Sequence, residues 1–179
     1  LFTVVGMGIT TVVERVERIA AVRADPAADA ALISSGLVAI REVRAWLDAQ
    51  QAGLVTSLRQ VESFAEKTTA EAAKTSLGAA SKTTERSATL TETPKLAEAL
   101  GDGAITAGHV DAVTRTAKLL DADQRQRLFE KVESLVDVAA QATVEQFTRR
   151  LRTEANRITS DDGMDRLERQ RRATALSTW

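Results

Sequence analysis

The chain has 179 residues, a formal net charge of −1 and no cysteine. That length suits one domain with an appended arm, and it excludes disulfide staples and cysteine-held zinc. Near-neutral charge argues against a surface coated in nucleic acid or acidic lipid, and 3% aromatic content with no Tyr leaves a core of Leu, Val, Ile and Ala.

The opening run Leu1–Ile9 is apolar but short, contains Gly6 and Gly8 and lacks a basic flank. It therefore reads as neither a signal peptide nor a bilayer span. No membrane partner is expected, and the cytoplasm is the default location. A first helix is predicted from Thr10 to Arg23, capped by Thr10 or Thr11 with Glu14 at capping-box spacing, and with Val12, Val13, Val16 and Ile19 as its apolar face. Asp25-Pro26 ends it.

The next stretch runs from about Ala27 to Phe64, with Ser34-Ser35-Gly36 as a possible interruption and Ser35 as cap of a long helix from Leu37. Ile40, Val43, Leu47, Leu54, Leu58, Val61 and Phe64 recur at steps of three, four or seven. A stripe of that length predicts a spine helix with a partner along it, in the same chain or in a second copy. Residues 66–93 are rich in Thr, Ser, Ala and Lys and fit two weak helices, Thr69–Thr75 and Ala79–Leu90. A helix-turn-helix is one reading, with Lys82 and Arg86 as its phosphate contacts, but two small bundle helices are the preferred one.

Thr93-Pro94 starts a short helix to Leu100, which Gly101-Asp102-Gly103 stops. Thr106 then caps Ala107–Leu120, with Val110, Val113, Ala117 and Leu120 facing inward. Asp121 caps a helix to about Ala140 through Leu128, Val132, Leu135 and Val136. Thr143 and Gln146 form a capping box for a helix that buries Val144, Phe147, Leu151 and Ile158. Ser160-Asp161-Asp162-Gly163 reads as a loop before a last helix from Met164 to Ser177. The expected architecture is all-α, a multi-helix bundle with one long spine helix. Its divisions are an N-terminal segment with a short helix (1–28), a helical domain (29–160) and a basic C-terminal helix (161–179).

The stretch from Glu92 to Glu145 is acidic, with Lys95 and Arg115 among its few cations, whereas the end of the chain is basic. Arg149, Arg150, Arg152, Arg157, Arg166, Arg169, Arg171 and Arg172 are the candidate nucleic-acid-binding residues, since clustered guanidinium groups match a phosphate backbone. The competing reading is a solvated helix face, with Arg149 and Arg150 offset by Glu145 and Glu154. His109 is the one histidine. Its neighbour Asp111 is two positions on and points elsewhere on a helix, so His109 reads as a half-buried helix-start residue. Asp121 and Asp123 serve a helix start, and Asp161-Asp162-Gly163 lacks the oxygen-ligand run of a calcium loop. No catalytic residue, metal site or cofactor is assigned to the chain.

Three runs carry a family likeness: Pro94-Lys95-Leu96-Ala97-Glu98-Ala99-Leu100-Gly101-Asp102-Gly103-Ala104-Ile105-Thr106-Ala107-Gly108-His109-Val110-Asp111, then Thr143-Val144-Glu145-Gln146-Phe147-Thr148-Arg149-Arg150-Leu151, then Glu168-Arg169-Gln170-Arg171-Arg172-Ala173-Thr174 leading to Trp179. The chain resembles the helical "domain of unknown function 222" of actinobacterial and phage-borne proteins over roughly residues 30–179. The likeness is most specific from Pro94 on. In that family the helical domain usually precedes an HNH endonuclease domain. The resemblance implies a helical accessory domain of an HNH-endonuclease-type DNA-processing protein, non-catalytic in itself, that positions DNA or the nuclease module. It also implies a fragment truncated before the nuclease, because an HNH site needs further histidines that this sequence lacks. The expected partners are nucleic acid at the basic C-terminal end and, through the long helix, a second copy. A purely structural or oligomerising helical scaffold is the alternative.

Overall fold

The computed structural model describes the backbone of residues 7–176 and the side chains of residues 7–161. Nine helices and no strand occur among the described residues: α1 (Ile9–Ala24), α2 (Ala30–Val61), α3 (Ala65–Ala72), α4 (Leu77–Glu92), α5 (Pro94–Gly101), α6 (Ala107–Ala117), α7 (Ala122–Glu133), α8 (Val136–Gln141) and α9 (Val144–Leu176). The fold is all-α, with α2 as a spine that packs on α1, α4 and α5. α4 in turn packs on α3 and α6, and α9 lies against α6, α7 and α8. One core unites these helices, from Ala45, Ala49 and Ala52 of α2 through Leu96, Leu100, Val110, Val113, Leu128 and Val132 to Phe147 and Leu151 of α9.

Several helix ends differ from expectation, each for a local reason. α1 begins one residue early at a Gly8 cap without a side-chain bond, so Thr10 and Thr11 do not cap it. α2 runs unbroken through Ser34-Ser35-Gly36 from an Asp29 cap whose carboxylate accepts from the Leu32 amide at 2.8 Å. Gly36 is buried there because Val22 of α1 presses on it: an added Cβ would lie 3.2 Å from Val22 Cγ1. The predicted helix from Asp121 to Ala140 is two, α7 and α8, broken at Ser134-Leu135. The predicted loop at residues 160–163 is helical, part of a single α9 of 33 residues. Its first half is held by the core, and helix propagation past that anchor needs little beyond local propensity.

The largest correction concerns the face that α2 buries. Gly36, Ala39, Ala45, Ala49, Ala52 and Val55 point inward. Leu47, Leu54, Val61 and Phe64, expected in the core, are exposed, and Ile40, Val43 and Leu58 are half-buried. Small residues let neighbouring backbones approach, and α4 exploits this. Ser87, 1% exposed, donates from Oγ to the Ala52 carbonyl at 2.8 Å and sits 2.5 Å from Thr56 Oγ1. The expected apolar face of α1 fails similarly: Val13 and Val16 are exposed, and α1 buries no residue fully. The inward face expected for α6 is buried, through Val110, Val113, Ala117 and, past the helix end, Leu120; on α9 Phe147 and Leu151 are buried as expected, whereas Val144 and Ile158, expected with them, are half-buried.

A charged tie joins the three helices around this contact. Arg86 of α4 binds Asp111 of α6 through Nε at 2.9 Å and Nη2 at 3.1 Å, and reaches Asp48 of α2 at 3.6 Å. Arg86 is therefore committed within the fold and is not the free phosphate contact of a helix-turn-helix. Burial pushes the Asp48 carboxyl above its usual range; the Arg86 charge pulls it back down, and the nearby Asp111 charge adds to the rise.

This packing has consequences for stability. Ala49→Leu should cost about 1–3 kcal/mol and Leu151→Ala about 2–5 kcal/mol, whereas Leu54→Ala at low protein concentration should stay within about 0.5 kcal/mol. Chemical denaturation measures all three, and a Leu54→Ala loss as large as that of Leu151→Ala would mean that the wrong face of α2 is buried. A second prediction concerns pH. A carboxyl raised in the folded state binds its proton more tightly there than in the unfolded chain, so its contribution to stability falls as pH rises. Measured against Asp48→Asn, the parent should lose stability as pH rises from the ordinary carboxylate range upward through the raised folded-state pKa; an unchanged or growing difference in the parent's favour contradicts the assignment.

Candidate nucleic-acid interface

α9 presents its arginines because Phe147 and Leu151 anchor the opposite side of the helix. The Thr143–Gln146 box fixes its start, with the Thr143 amide donating to Gln146 Oε1 at 2.8 Å and the Gln146 amide to Thr143 Oγ1 at 3.3 Å. Arg149, Arg150, Arg152 and Arg157 are all exposed. They are not equivalent. Arg150 pairs at 3.1 Å with Glu154, a carboxylate only 6% exposed, and so serves the fold. Arg149 stands near Glu145, whose carboxyl is held below its usual range by its own backbone amide, by the Thr143 hydroxyl and, more weakly, by the Arg149 charge. Arg152 and Arg157 form no ion pair among the described residues. Arg166, Arg169, Arg171 and Arg172 lie on α9 beyond residue 161, outside the described side chains.

The tertiary structure adds cations that are distant in sequence. A groove of about 310 Å³ between α6 and α9 is lined by Arg115 and Arg152 together with Asn156, Thr116, Thr148 and Thr159. Arg115 also lines an adjoining groove of about 260 Å³ with Lys82 of α4, Lys118, Glu85 and Asp111. Lys82, Arg115 and Arg152 therefore share one continuous stretch of surface. The two carboxylates beside them are already compensated, Glu85 by Lys118 at 2.5 Å and Asp111 by Arg86. Sequence position alone groups Arg115 with the acidic half of the chain. Only the packing of α6 on α9 brings it beside Arg152, and no linear spacing between residues this far apart signals that.

The groove hydroxyls have little left to offer a ligand as donors, since Thr116, Thr148 and Thr159 donate to the carbonyls of Ala112, Val144 and Ala155. Guanidinium groups and the Asn156 amide are the available donors, a set suited to phosphate oxygens. His109 has no catalytic freedom. It is buried, more fully than expected, in the position a capping box gives to Glu or Gln. Nδ1 accepts from the Thr106 amide at 3.2 Å and Nε2 lies 3.1 Å from the Ala142 carbonyl, which requires the neutral tautomer protonated at Nε2. Its ring also packs tilted against Phe147, with centroids 5.7 Å apart. Among the described residues no group of three or more His, Asp or Glu side chains is arranged to hold a metal ion, and no helix is long and apolar enough to cross a membrane.

No family model, curated protein or solved structure matches the chain.

Proposed function

We propose that this chain is a non-catalytic helical domain that holds nucleic acid by its phosphates, as the accessory part of an HNH-endonuclease-type DNA-processing protein. The observation that carries the reading is the shared groove surface of Arg115 and Arg152, flanked by Lys82, where the neighbouring carboxylates Glu85 and Asp111 are each held in an ion pair, by Lys118 and Arg86. Exposed Arg149 and Arg157 extend the positive surface along α9. The resemblance to the "domain of unknown function 222" supports the assignment to DNA processing. Contacts of this kind position a backbone and read no sequence, so binding is weak, sequence-tolerant and salt-sensitive. The basic C-terminal arginines beyond residue 161 belong to the same proposal.

The test is fluorescence anisotropy with a labelled duplex and a labelled single strand. Raising salt from about 50 to about 200 mM should weaken binding roughly ten- to a hundredfold. Reversing charge at Arg115 and Arg152 together should weaken binding to all sequences alike. It should also reduce the slope of log affinity against log salt by about two, at roughly 0.9 for each phosphate no longer neutralised. Reversal at Lys67 and Lys95, which line neither groove, should leave the slope unchanged. No binding at low salt, or equal weakening in both double variants, would refute the reading. The chain should also leave plasmid DNA intact with magnesium, manganese or zinc. Cleavage that survives repurification and disappears in His109→Ala would make it an enzyme.

A further inference from the structure

The exposed apolar surface of this protein is concentrated on α1, α2 and the residues just after α2. Of the fourteen large hydrophobic residues exposed among the described ones, eleven fall between Ile9 and Phe64. Within that set the stripe along the second half of α2 has an orderly form. Leu47 is 53% exposed, Leu54 72% and Val61 83%, at a seven-residue repeat, and Phe64, 72% exposed, follows the helix end. Seven-residue spacing keeps one side of a helix against another helix over a long distance.

α1 covers only the first part of this side. It runs antiparallel to α2, with Val22 against Gly36 and Arg15 bonded to Glu42. Gly36, Ile40 and Val43 share the face that meets α1, and the last two are half-buried. At a rise of 1.5 Å per residue in both helices, α1 reaches its first residue, Ile9, about level with Asp48. The continuation of the same face, through Leu54 and Val61, extends past it.

We infer that this uncovered half of α2 is a homodimer interface in which two copies of the helix cross antiparallel about Leu54. Three observations select a second copy. The stripe is symmetric about Leu54, so a twofold axis there sets Leu54 against Leu54 and Leu47 against Val61. Arg44 and Glu62 are both exposed and lie on one edge of the stripe, since eighteen residues make five helical turns. The antiparallel crossing brings Arg44 of one copy to the edge that Glu62 of the other occupies, whereas a parallel twofold pairing would put Arg44 of one copy and Glu62 of the other on opposite edges of the seam. Finally, the exposed parts of Leu47, Leu54, Val61 and Phe64 amount to on the order of 500 Å² per copy, at roughly 150–200 Å² for a whole large apolar side chain. Complete burial of these residues in both copies would remove at most about 1,000 Å² of apolar surface, the threshold for a specific interface before polar edges are added.

The natural absence of cysteine makes the register testable by single thiols in the full chain. With a short thiol-specific crosslinker, Leu54→Cys should link to itself. Leu47→Cys should link to Val61→Cys in a mixture far better than either links to itself. In sedimentation, the parent should be a dimer of its 19.3 kDa chain, and Leu54→Glu should remain folded by circular dichroism while its dimer dissociation constant rises about thirtyfold or more. A parent that is monomeric at high concentration overturns the inference. So does a dimer indifferent to Leu54→Glu, or one whose Leu54 thiols do not link, because its interface then lies elsewhere, for instance on the exposed face of α1. Arg44→Glu should weaken the dimer, and adding Glu62→Arg should restore it; failure of that rescue rejects the antiparallel register.

Discussion

The close contact between α2 and α4 sets the terms for the rest of the molecule. Ala45, Ala49 and Ala52 offer no side chain beyond Cβ, and Ser87 approaches closely enough to bond the Ala52 carbonyl. Such an interface gains little from apolar area and much from contact density and satisfied polar groups. It also dictates what remains for the other side of α2. With the small residues inside, the large aliphatic ones are turned outward: α1 leaves Ile40 and Val43 half-buried, while Leu32, Ile33, Leu37 and Val38 before them and Leu47, Leu54 and Val61 after them are exposed.

The same contact explains why charge is distributed as it is. Bringing α2, α4 and α6 together places Asp48 and Asp111 on either side of the single Arg86 guanidinium, with Asp111 in the closer, two-bond contact. Cations outnumber carboxylates among the residues lining the grooves beside them, even though the chain as a whole is nearly neutral. Lys82, Arg115 and Arg152 gain their prominence from what Arg86 and Lys118 neutralise next to them. Composition averages over the surface, whereas a ligand meets the local field.

Gly103 shows how tightly the hinge between α5 and α6 is drawn. Its φ is +76°, and a Cβ there would lie 2.9 Å from the Glu42 backbone Cα, so both conformation and space demand glycine. The turn carries the chain directly from α5 into the helix that His109 caps. His109 then joins the start of α6 to the Ala142 carbonyl ahead of α9, which fixes the two walls of the basic groove relative to each other. The single histidine thus shapes the candidate interface without taking part in it.

From the sequence alone came the helical class, the spine helix, the helix start at Pro94, the caps at Asp121 and Thr143, the buried face of α6 and the central anchors Phe147 and Leu151 of α9, whereas Thr93 donates back to the Thr89 carbonyl and does not cap α5. In these cases local rules and large apolar side chains point the same way: Val110, Val113, Phe147 and Leu151 recur at helical spacing and have only one side to bury. The sequence also located the arginines of α9. It did not reveal the inward face of α2, because periodicity weights Leu and Val above Ala, and close packing of small residues rewards the opposite choice. Helical spacing did set Arg150 beside Glu154, but it did not distinguish Arg86, engaged by Asp111, from Arg152 and Arg115, which form no ion pair among the described residues. Those distinctions depend on which helices meet. The continuation of α9 through Asp161-Asp162-Gly163 was likewise decided beyond the local sequence signal, which favours a turn there; a helix already nucleated and anchored by the core needs only propagation to cross it.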